Sequence, residues 1–254
     1  ALSSYAPMRK RGILLGDPVK GRFALWEFGK RGIDAIQHRP HALKNEACFA
    51  ASNSSILVWD PLNDFSIATG GSGGSRFIRF VRHGVDELSF ESYPESSVPV
   101  GNHTESSGVF SVAWDLGRTR LTNDPQLFGS GNLVAVGGDY LKPDDTAHTA
   151  AFTTDDGKHW ASAQTPPHGY RSAVAYDAQQ KLWITVGPNG TDISTDDGRN
   201  WRALKPSPTD PPDADKNWNA LSLPYVVGPK GRIGKLRPIH LNTQPESKVS
   251  PRKP

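Results

Sequence analysis

The sequence predicts an all-β fold, a β-propeller built of four-stranded blades with about five recognisable units. A motif of the form [Ser/Thr]-x-Asp-x-Gly-x-x-Trp occurs twice, and its tryptophans, Trp160 and Trp201, lie 41 residues apart. A second segment, Val186 to Gly190, returns at the same spacing as Val227 to Gly231. A period near 41 residues is typical of one four-stranded blade in a radial β-repeat. The 25 Gly and 21 Pro residues supply the many turns that such a fold needs.

The repeated motif has a structural explanation. Its aspartate can accept hydrogen bonds from backbone N–H groups within a tight turn, and its glycine permits a positive φ angle. Its tryptophan begins the next strand and provides a large apolar surface for packing. A catalytic role for Asp155 and Asp196 is the alternative, but a residue repeated in successive units suits packing better than one active site. We therefore expect Trp160 and Trp201 to be buried near blade boundaries, each beside its own turn. The expected structural residues are Thr153, Asp155, Gly157, Trp160, Ser194, Asp196, Gly198 and Trp201.

Alternating apolar residues and glycine turns place the strands of each unit. The best-preserved unit runs from Gly169 to Leu204 and is expected to form one complete blade. Its strands are predicted at 170–176, 182–186, 191–195 and from 201 onward. The preceding units are predicted to contain strands at 12–15, 22–26, 56–59, 65–69, 76–81, 109–115, 133–136 and 150–153. The last unit is predicted to contain strands at 218–223, 225–227 and 231–236, without a fourth strand.

The two ends of the chain decide whether these units close into a ring. The first unit is expected to begin near its second strand, within a single propeller domain over residues 1–237. If the ring closes, residues near Ser4 to Arg9 should pair or pack with the region from Gly231 to Leu236, because an unpaired sheet edge is a liability. If the two segments stay apart, the units are expected to belong to an incomplete six- or seven-bladed ring. Residues 238–254 are expected to form a basic, disordered tail containing Pro and Ser.

Composition excludes several other classes of protein. No apolar run approaches the roughly 20 residues that span a bilayer, so membrane insertion is not expected. The net charge of +3 arises partly in the basic tail, so a nucleic-acid partner is not predicted. The single Cys48 excludes an internal disulfide and a cysteine-cluster metal site. The histidines of His38 to His41 are interrupted by Pro40, so neither a metal nor a cofactor is predicted.

One face of the predicted propeller collects polar side chains. Turns between second and third strands share this face with the connections between blades, whereas the Asp-x-Gly turns lie on the opposite face. Exposed polar groups on a rigid scaffold are candidates for a binding surface. The alternative is that they only keep the turns in contact with water and supply hydrogen-bond partners to the backbone of the loops. The candidate binding residues are Asp17, Arg22, Arg76, Asp139, Tyr140, His168, Tyr170, Arg171, Asn189 and Asp192.

Several segments resemble one protein family in their order along the chain and in their residues. They run from Gly12 to Pro18, Phe49 to Ser55, Val136 to Tyr140, Pro167 to Val174 and Asn217 to Pro224. From about residue 12 to residue 236 the chain resembles the C-terminal part of bacterial BNR/Asp-box propellers similar to the photosystem II stability and assembly factor. The repeated motif is similar to the Asp-box of sialidase-like BNR repeats. The resemblance implies a non-catalytic, exported protein, periplasmic, luminal or secreted, that binds another protein as an assembly scaffold.

The alternative function is that of a sialidase-like exo-glycosidase. Such an enzyme needs three arginines for the substrate carboxylate, a Tyr-Glu nucleophile pair and an acid. Arg22, Arg76 or Arg79, and Arg171 could converge, and Tyr140 or Tyr170 is available, but no glutamate stands beside either tyrosine. Carbohydrate therefore remains a possible ligand, while we expect no turnover of sialosides or simple aryl glycosides.

Overall fold

The computed structural model describes residues 2–8, 11–29, 32–36, 39–60, 64–82, 90–92, 95–115 and 131–239. In these residues the chain forms five antiparallel sheets that follow one another in chain order. The arrangement is propeller-like and not closed, and the prediction of an all-β propeller fold is confirmed. The one helix in these ranges is the short 3-10 helix Pro229–Gly231, and no helix there could cross a membrane. Most of the expected tail, residues 240–254, lies outside the described residues.

The first sheet contains four strands in the order β1-β2-β3-β4. They are β1 (Leu2–Met8), β2 (Arg11–Val19), β3 (Arg22–Gly29) and β4 (Gly32–Ala35). The prediction that the first unit begins near its second strand is wrong, because β1 precedes β2 and pairs with it from Leu2 to Met8.

The second and third sheets are joined by short segments of the chain that cross between them. The second sheet consists of β6 (Ile56–Asp60), β7 (Asp64–Ala68), β9 (Arg76–Arg82) and β10 (Phe90–Ser92), with β11 (Ser96–Ser97) also pairing with β9. The third sheet consists of β12 (Ser107–Trp114), β13 (Leu133–Asp139), β14 (Ala150–Thr153) and β15 (Ala161–Ser162), extended beside β12 by β8 (Gly70–Gly71) and β5 (Glu46–Ala47). Gly70 is required here, because a Cβ atom would lie 2.6 Å from the Gly108 Cα.

The fourth sheet is the blade predicted at residues 169–204, and that prediction is confirmed. It contains β16 (Ala173–Asp177), β17 (Leu182–Val186), β18 (Thr191–Ser194) and β19 (Arg202–Ala203) in sequential order. The fifth sheet contains β20 (Ala220–Ser222), β21 (Tyr225–Val227) and β22 (Ile233–Lys235). Within the described residues it has no fourth strand.

The first strands of successive sheets lie side by side: β1 beside β6, β6 beside β12, β12 beside β16 and β16 beside β20. The last strand, β22, pairs with β21, and no described strand connects it to β1. Of the two alternatives for Ser4 to Arg9 and Gly231 to Leu236, the described residues 4–8 fit the one in which the segments are not paired and the ring is open. Arg9 lies outside the described residues. Pairing β1 with β2 closes only a short loop and costs little chain entropy, whereas pairing it with β22 would close nearly the whole chain.

Each pair of neighbouring sheets encloses its own apolar layer. Leu15 of the first sheet and Phe65 of the second belong to one buried cluster, whereas Val134 and Trp183 of the third and fourth sheets belong to another. Strand residues alternate between the two faces of a sheet, so one sheet contributes side chains to two layers. The core is therefore a series of layers between sheets, and the polar turns lie at the strand ends.

Candidate functional site

The two Asp-x-Gly turns have the same internal hydrogen bonds. In the first, Asp155 Oδ1 accepts the Thr153 hydroxyl at 2.7 Å and the His159 N–H at 3.0 Å. In the second, Asp196 Oδ1 accepts the Ser194 hydroxyl at 2.8 Å and the Asn200 N–H at 2.9 Å. Each carboxylate thus joins the end of one strand to the start of the next, as the sequence motif predicts.

The glycines of these turns meet two separate requirements. Gly157 and Gly198 have φ angles of 83° and 80°, in the region that favours glycine. A Cβ atom on Gly157 would lie 2.5 Å from the Phe77 ring, and one on Gly198 would lie 2.6 Å from Val134. Each turn therefore packs directly against the neighbouring sheet, and any side chain there would strain the backbone and separate the sheets.

The motif tryptophans both lie beside their own turns. Trp201 is buried and its indole N–H donates to the Gly198 carbonyl at 3.0 Å. Trp160 donates to the Gly157 carbonyl at 3.1 Å and packs, partly buried, against the cluster between the second and third sheets, so it is less completely covered than Trp201. The Trp160 ring lies edge-on to Phe77 of the second sheet, with ring centroids 5.4 Å apart, whereas both residues of the adjacent outer strand Ala161–Ser162 are exposed.

The Asp155 turn should become weaker in acid. Burial opposes ionisation of Asp155, but hydrogen bonds from Thr153 and His159 outweigh it and lower the pKa from 3.8 to about 2. A carboxyl with a lowered folded pKa stabilises the fold fully above its unfolded value, near 3.9, and loses this contribution as the pH falls toward 2. We expect the free energy of unfolding, measured in urea from pH 5 to pH 2, to fall more steeply for the wild type than for Asp155→Asn. Parallel pH dependences would contradict this prediction.

The structure does not expose the whole candidate binding face. Tyr140 and Asp17 are exposed, and Arg22, His168 and Asn189 are partly buried. The expectation of exposed groups is wrong for five residues, because their side chains pair or pack inside the protein. These five are Arg76, Asp139, Tyr170, Arg171 and Asp192.

Arg171 is the centre of a buried ion cluster just before β16. Its guanidinium donates to Asp192 Oδ2, with the Nε atom at 2.8 Å, and to Asn189 Oδ1 at 2.6 Å. The remaining N–H groups reach the Tyr170 carbonyl at 2.8 Å and face His168 Nδ1 at 2.9 Å. The same Nδ1 atom lies 2.7 Å from Asp192 Oδ1, so His168 is a second partner of this carboxylate. A ring nitrogen that donates to the Asp192 carboxylate cannot also accept from Arg171, so four of the five guanidinium donors have oxygen acceptors. Burial lowers the pKa of Arg171, and the charge of Asp192 opposes that shift.

Arg76 forms a second buried cluster at the start of β9. Its Nε and Nη2 atoms donate to the two oxygens of Glu46 at 2.8 and 2.6 Å, and Nη1 donates to Glu95. Thr69 donates its hydroxyl to the same Glu46 at 2.6 Å. Burial alone would lower the pKa of Arg76, but the hydrogen bond and charge of Glu46 outweigh it and raise the pKa. No local pattern in the sequence predicts Glu46 and Glu95 as partners of Arg76.

The remaining candidate residues of the first sheet lie outside these clusters. Asp17 accepts the Cys48 N–H at 3.1 Å, and Arg22 donates to the Arg39 carbonyl at 2.6 Å. The structure therefore brings together Tyr170, Arg171 and the residues around Asp192. Arg22 and Arg76 both contact His41, Arg22 through a β-bridge and Arg76 by donating to its carbonyl at 2.9 Å. Arg76 and Arg171 are already bound to carboxylates of the chain itself.

The loop from Tyr140 to His148 connects β13 to β14 on the candidate face. We call it the Tyr140 loop. Asp139 Oδ1 accepts the Leu141 N–H at 3.0 Å, and burial of this carboxylate is outweighed by hydrogen bonds from Ser106, Leu141 and Thr104, which lower its pKa. Asn189 Nδ2 donates to the Pro143 carbonyl at 3.0 Å. The loop is thus anchored both to its own sheet and to the fourth sheet.

Two adjacent side chains of the Tyr140 loop project into solvent. Tyr140 is 48% exposed and Leu141 is 70% exposed. The Tyr140 ring lies edge-on to Phe110 at 6.1 Å, and Phe110 also contacts Tyr170 at 4.8 Å. Burial raises the pKa of Tyr170. Leu141 was not a candidate residue, although its position in a long loop between two strands could have identified it.

The candidate face gives no sign of a metal centre. Among residues of the described ranges, no three His, Cys, Asp or Glu side chains are grouped as metal ligands would be. The residues near Tyr140 are aromatic, amide and imidazole groups suited to contact and hydrogen bonding. The candidate face near Tyr140 is therefore a surface of polar and aromatic side chains.

Comparisons with known proteins give distant likenesses to solved structures. No family model and no curated protein matches the chain. Among solved structures, the chain is similar to a GH74 enzyme from Niastella koreensis, with 12% identity over 85% of this chain and a TM-score of 0.49. It is also similar to a chain of a nidogen/laminin complex, with 11% identity over 88% of this chain and 76% of that chain, and a TM-score of 0.41. The chain spans 33% of the length of the GH74 enzyme chain. These likenesses carry no argument about function.

Proposed function

We propose that this chain is a non-catalytic Asp-box propeller that binds another protein, as a scaffold in assembling a complex, through the Tyr140 loop. One observation carries the proposal: Tyr140 and Leu141 are 48% and 70% exposed on an anchored loop. Tyrosine is enriched among the residues that dominate binding energy at protein interfaces. A loop that is already ordered also loses little conformational entropy on binding.

The surroundings of Tyr140 favour a protein partner. His168 and Asn189 lie partly exposed near the buried Arg171 and supply polar groups around the aromatic contact. An apolar centre with a polar rim is the usual anatomy of a protein interface. The sequence resemblance to the photosystem II stability and assembly factor supports an assembly role and an exported protein.

The test compares two matched double variants of the full chain. Tyr140→Ser with Leu141→Ser removes the proposed contact, and Tyr225→Ser with Ile233→Ser removes a tyrosine and an aliphatic residue that are 51% and 71% exposed on the fifth sheet. Tagged chains are purified from the native host after crosslinking, and bound proteins are quantified by mass spectrometry. We expect at least one abundant partner to be lost only with the Tyr140 and Leu141 changes.

Two results would overturn the proposal. One is equal recovery of every partner with both double variants; the other is loss of the partner with the fifth-sheet variant alone. Thermal unfolding of each variant must match the wild type, so that a lost partner reports a lost contact.

The sialidase hypothesis is tested separately by assay. In the sialidase mechanism, free arginines must hold the substrate carboxylate, and Arg171 is buried and already paired with Asp192. We expect no hydrolysis of sialosides or simple aryl glycosides. Detectable hydrolysis that disappears in Tyr140→Phe, Tyr170→Phe or Arg171→Lys would replace the scaffold proposal with the glycosidase.

A further inference from the structure

A large cleft lies between the fourth and fifth sheets, beside the loop of residues 205–219. Its volume is about 780 Å³, within the range of roughly 300–1,000 Å³ usual for small-molecule sites. Its walls include the buried Ile184 and Val186 and the partly buried Leu204, Leu221 and Leu236. The cleft is therefore a mostly aliphatic space that these side chains do not fill.

Residues 236–239 form one wall of the cleft and are held in place by hydrogen bonds. The Leu236 N–H donates to the Pro224 carbonyl at 2.7 Å, and the Ile239 N–H donates to Gln180 Oε1 at 2.6 Å. Leu236 and Ile239 also pack against the apolar cluster that contains the buried Ile184. Because this wall is already fixed, a ligand would order little of the chain on binding.

The charged side chains that line the cleft are mostly basic. Four are cationic and two are anionic: Lys205, Arg232, Lys235 and Arg237, with Asp210 and Asp215. Asp215 is buried, and the buried Arg171 is close enough to interact with its charge. Arg232 bonds Asp213 at 3.0 Å, and Lys235 lies over the Tyr225 ring. The charge that a ligand would meet is therefore determined mainly by Lys205, Arg237 and Asp210.

Lys205 and Arg237 lie close together where Ser207 lines the cleft. Arg237 Nη2 lies 3.3 Å from the Ser207 hydroxyl and also binds Asp210. Lys205 is two residues before Ser207, so their Cα atoms are at most about 7 Å apart. Within the described ranges, Asp210 is the one carboxylate that pairs with Arg237, and none pairs with Lys205. Two exposed cations thus share one carboxylate, which leaves a net positive charge beside an apolar space.

We propose that this cleft binds a single aliphatic chain that ends in a carboxylate, with the carboxylate held by Lys205 and Arg237. Hydrogen bonds from charged donors to a carboxylate are stronger than neutral ones, so the two cations would select an acid over an alcohol of the same length. The aliphatic part would cover Leu204, Leu221 and the strand residues behind them. This site is separate from the Tyr140 loop, and either proposal can fail without the other.

The test uses three probes with one aliphatic body and different head groups: octanoate, octanol and octylamine. Binding to the full chain is measured by isothermal titration calorimetry at pH 7, where a carboxylic acid is ionised and lysine and arginine are protonated. We expect saturable binding of one octanoate, with octanol weaker and octylamine at least about tenfold weaker than octanoate.

Two matched double variants separate the proposed contacts from the general charge of the protein. Lys205→Gln with Arg237→Gln should weaken octanoate binding about tenfold or more and leave octanol binding within about twofold. Arg202→Gln with Lys216→Gln removes the same two charges from exposed residues outside the cleft lining, and octanoate affinity should stay within about twofold of the wild type. Leu204→Trp should fill the cleft and abolish binding of both octanoate and octanol. Urea unfolding of each variant verifies that the fold is retained.

Several outcomes would overturn the proposal. These are no saturable octanoate binding, octylamine binding as tight as octanoate, or equal effects of the two double variants. Sedimentation with phosphatidylglycerol vesicles tests a membrane as the partner. Vesicle binding that disappears with Lys205→Gln and Arg237→Gln, without octanoate binding in solution, would assign the two cations to a membrane surface. By light scattering, a dimer that Leu204→Trp converts to a monomer, without octanoate binding to either form, would assign the cleft to self-association.

Discussion

Replacing Trp201 by alanine is expected to lower the free energy of unfolding by about 3–5 kcal/mol, the usual cost of emptying a large buried aromatic site. The Trp201 indole is buried in the layer between the third and fourth sheets, with Val134 and Trp183 in the same cluster. The change also leaves the Gly198 carbonyl without its indole donor. Urea unfolding followed by circular dichroism measures the loss.

Trp160→Ala provides the matched control for this prediction. Trp160 occupies the same motif position and makes the same indole bond to its turn, but it is only half-buried. Its replacement should therefore cost clearly less than that of Trp201. An equal or larger loss for Trp160→Ala would show that the turn bond, and not burial between sheets, determines the contribution of the motif tryptophan.

Arg171→Met is also expected to cost about 3–5 kcal/mol, because it leaves the buried Asp192 carboxylate without its guanidinium. Asn189 and the Tyr170 carbonyl lose hydrogen bonds at the same time. The loss is measured by urea unfolding at pH 7, with methionine chosen to retain most of the side-chain volume.

The double variant Arg171→Met with Asp192→Leu separates the ion pair from packing. Removing both charges takes away the unpaired carboxylate, so the double variant should recover much of the loss caused by Arg171→Met alone. Losses that simply add would show that the two residues contribute independently, against the coupled pair described above.

The fold could be predicted because each repeat is specified by residues that lie close together in the sequence. Asp-x-Gly turns and alternating strands between Gly169 and Leu204 specify a blade from contacts within about 40 residues. The strand β1 could not be recognised, since its sequence contains Pro7 and lacks a clear alternation. Pro7 is tolerated because β1 is paired on one side only, and an edge strand can spare a backbone donor.

The candidate site was harder to predict, because burial depends on partners far away in the sequence. Arg76 is bound by Glu46, 30 residues earlier, and Arg171 by Asp192, 21 residues later. Nothing local distinguishes a turn arginine that faces solvent from one that finds a buried carboxylate. The turn motif of Asp155 was predictable for the opposite reason, since its partners lie within four residues.

The serial order of the sheets has a consequence for how the chain folds. Each described sheet meets the sheets next to it in sequence, so the described sheets assemble without pairing the first sheet with the fifth. Structure can start in any one sheet and spread to its neighbours, as in linear repeat proteins. The third and fourth sheets have neighbours on both sides and enclose the Trp201 layer. Their backbone amides should exchange hydrogen for deuterium most slowly, and those of the fifth sheet much faster.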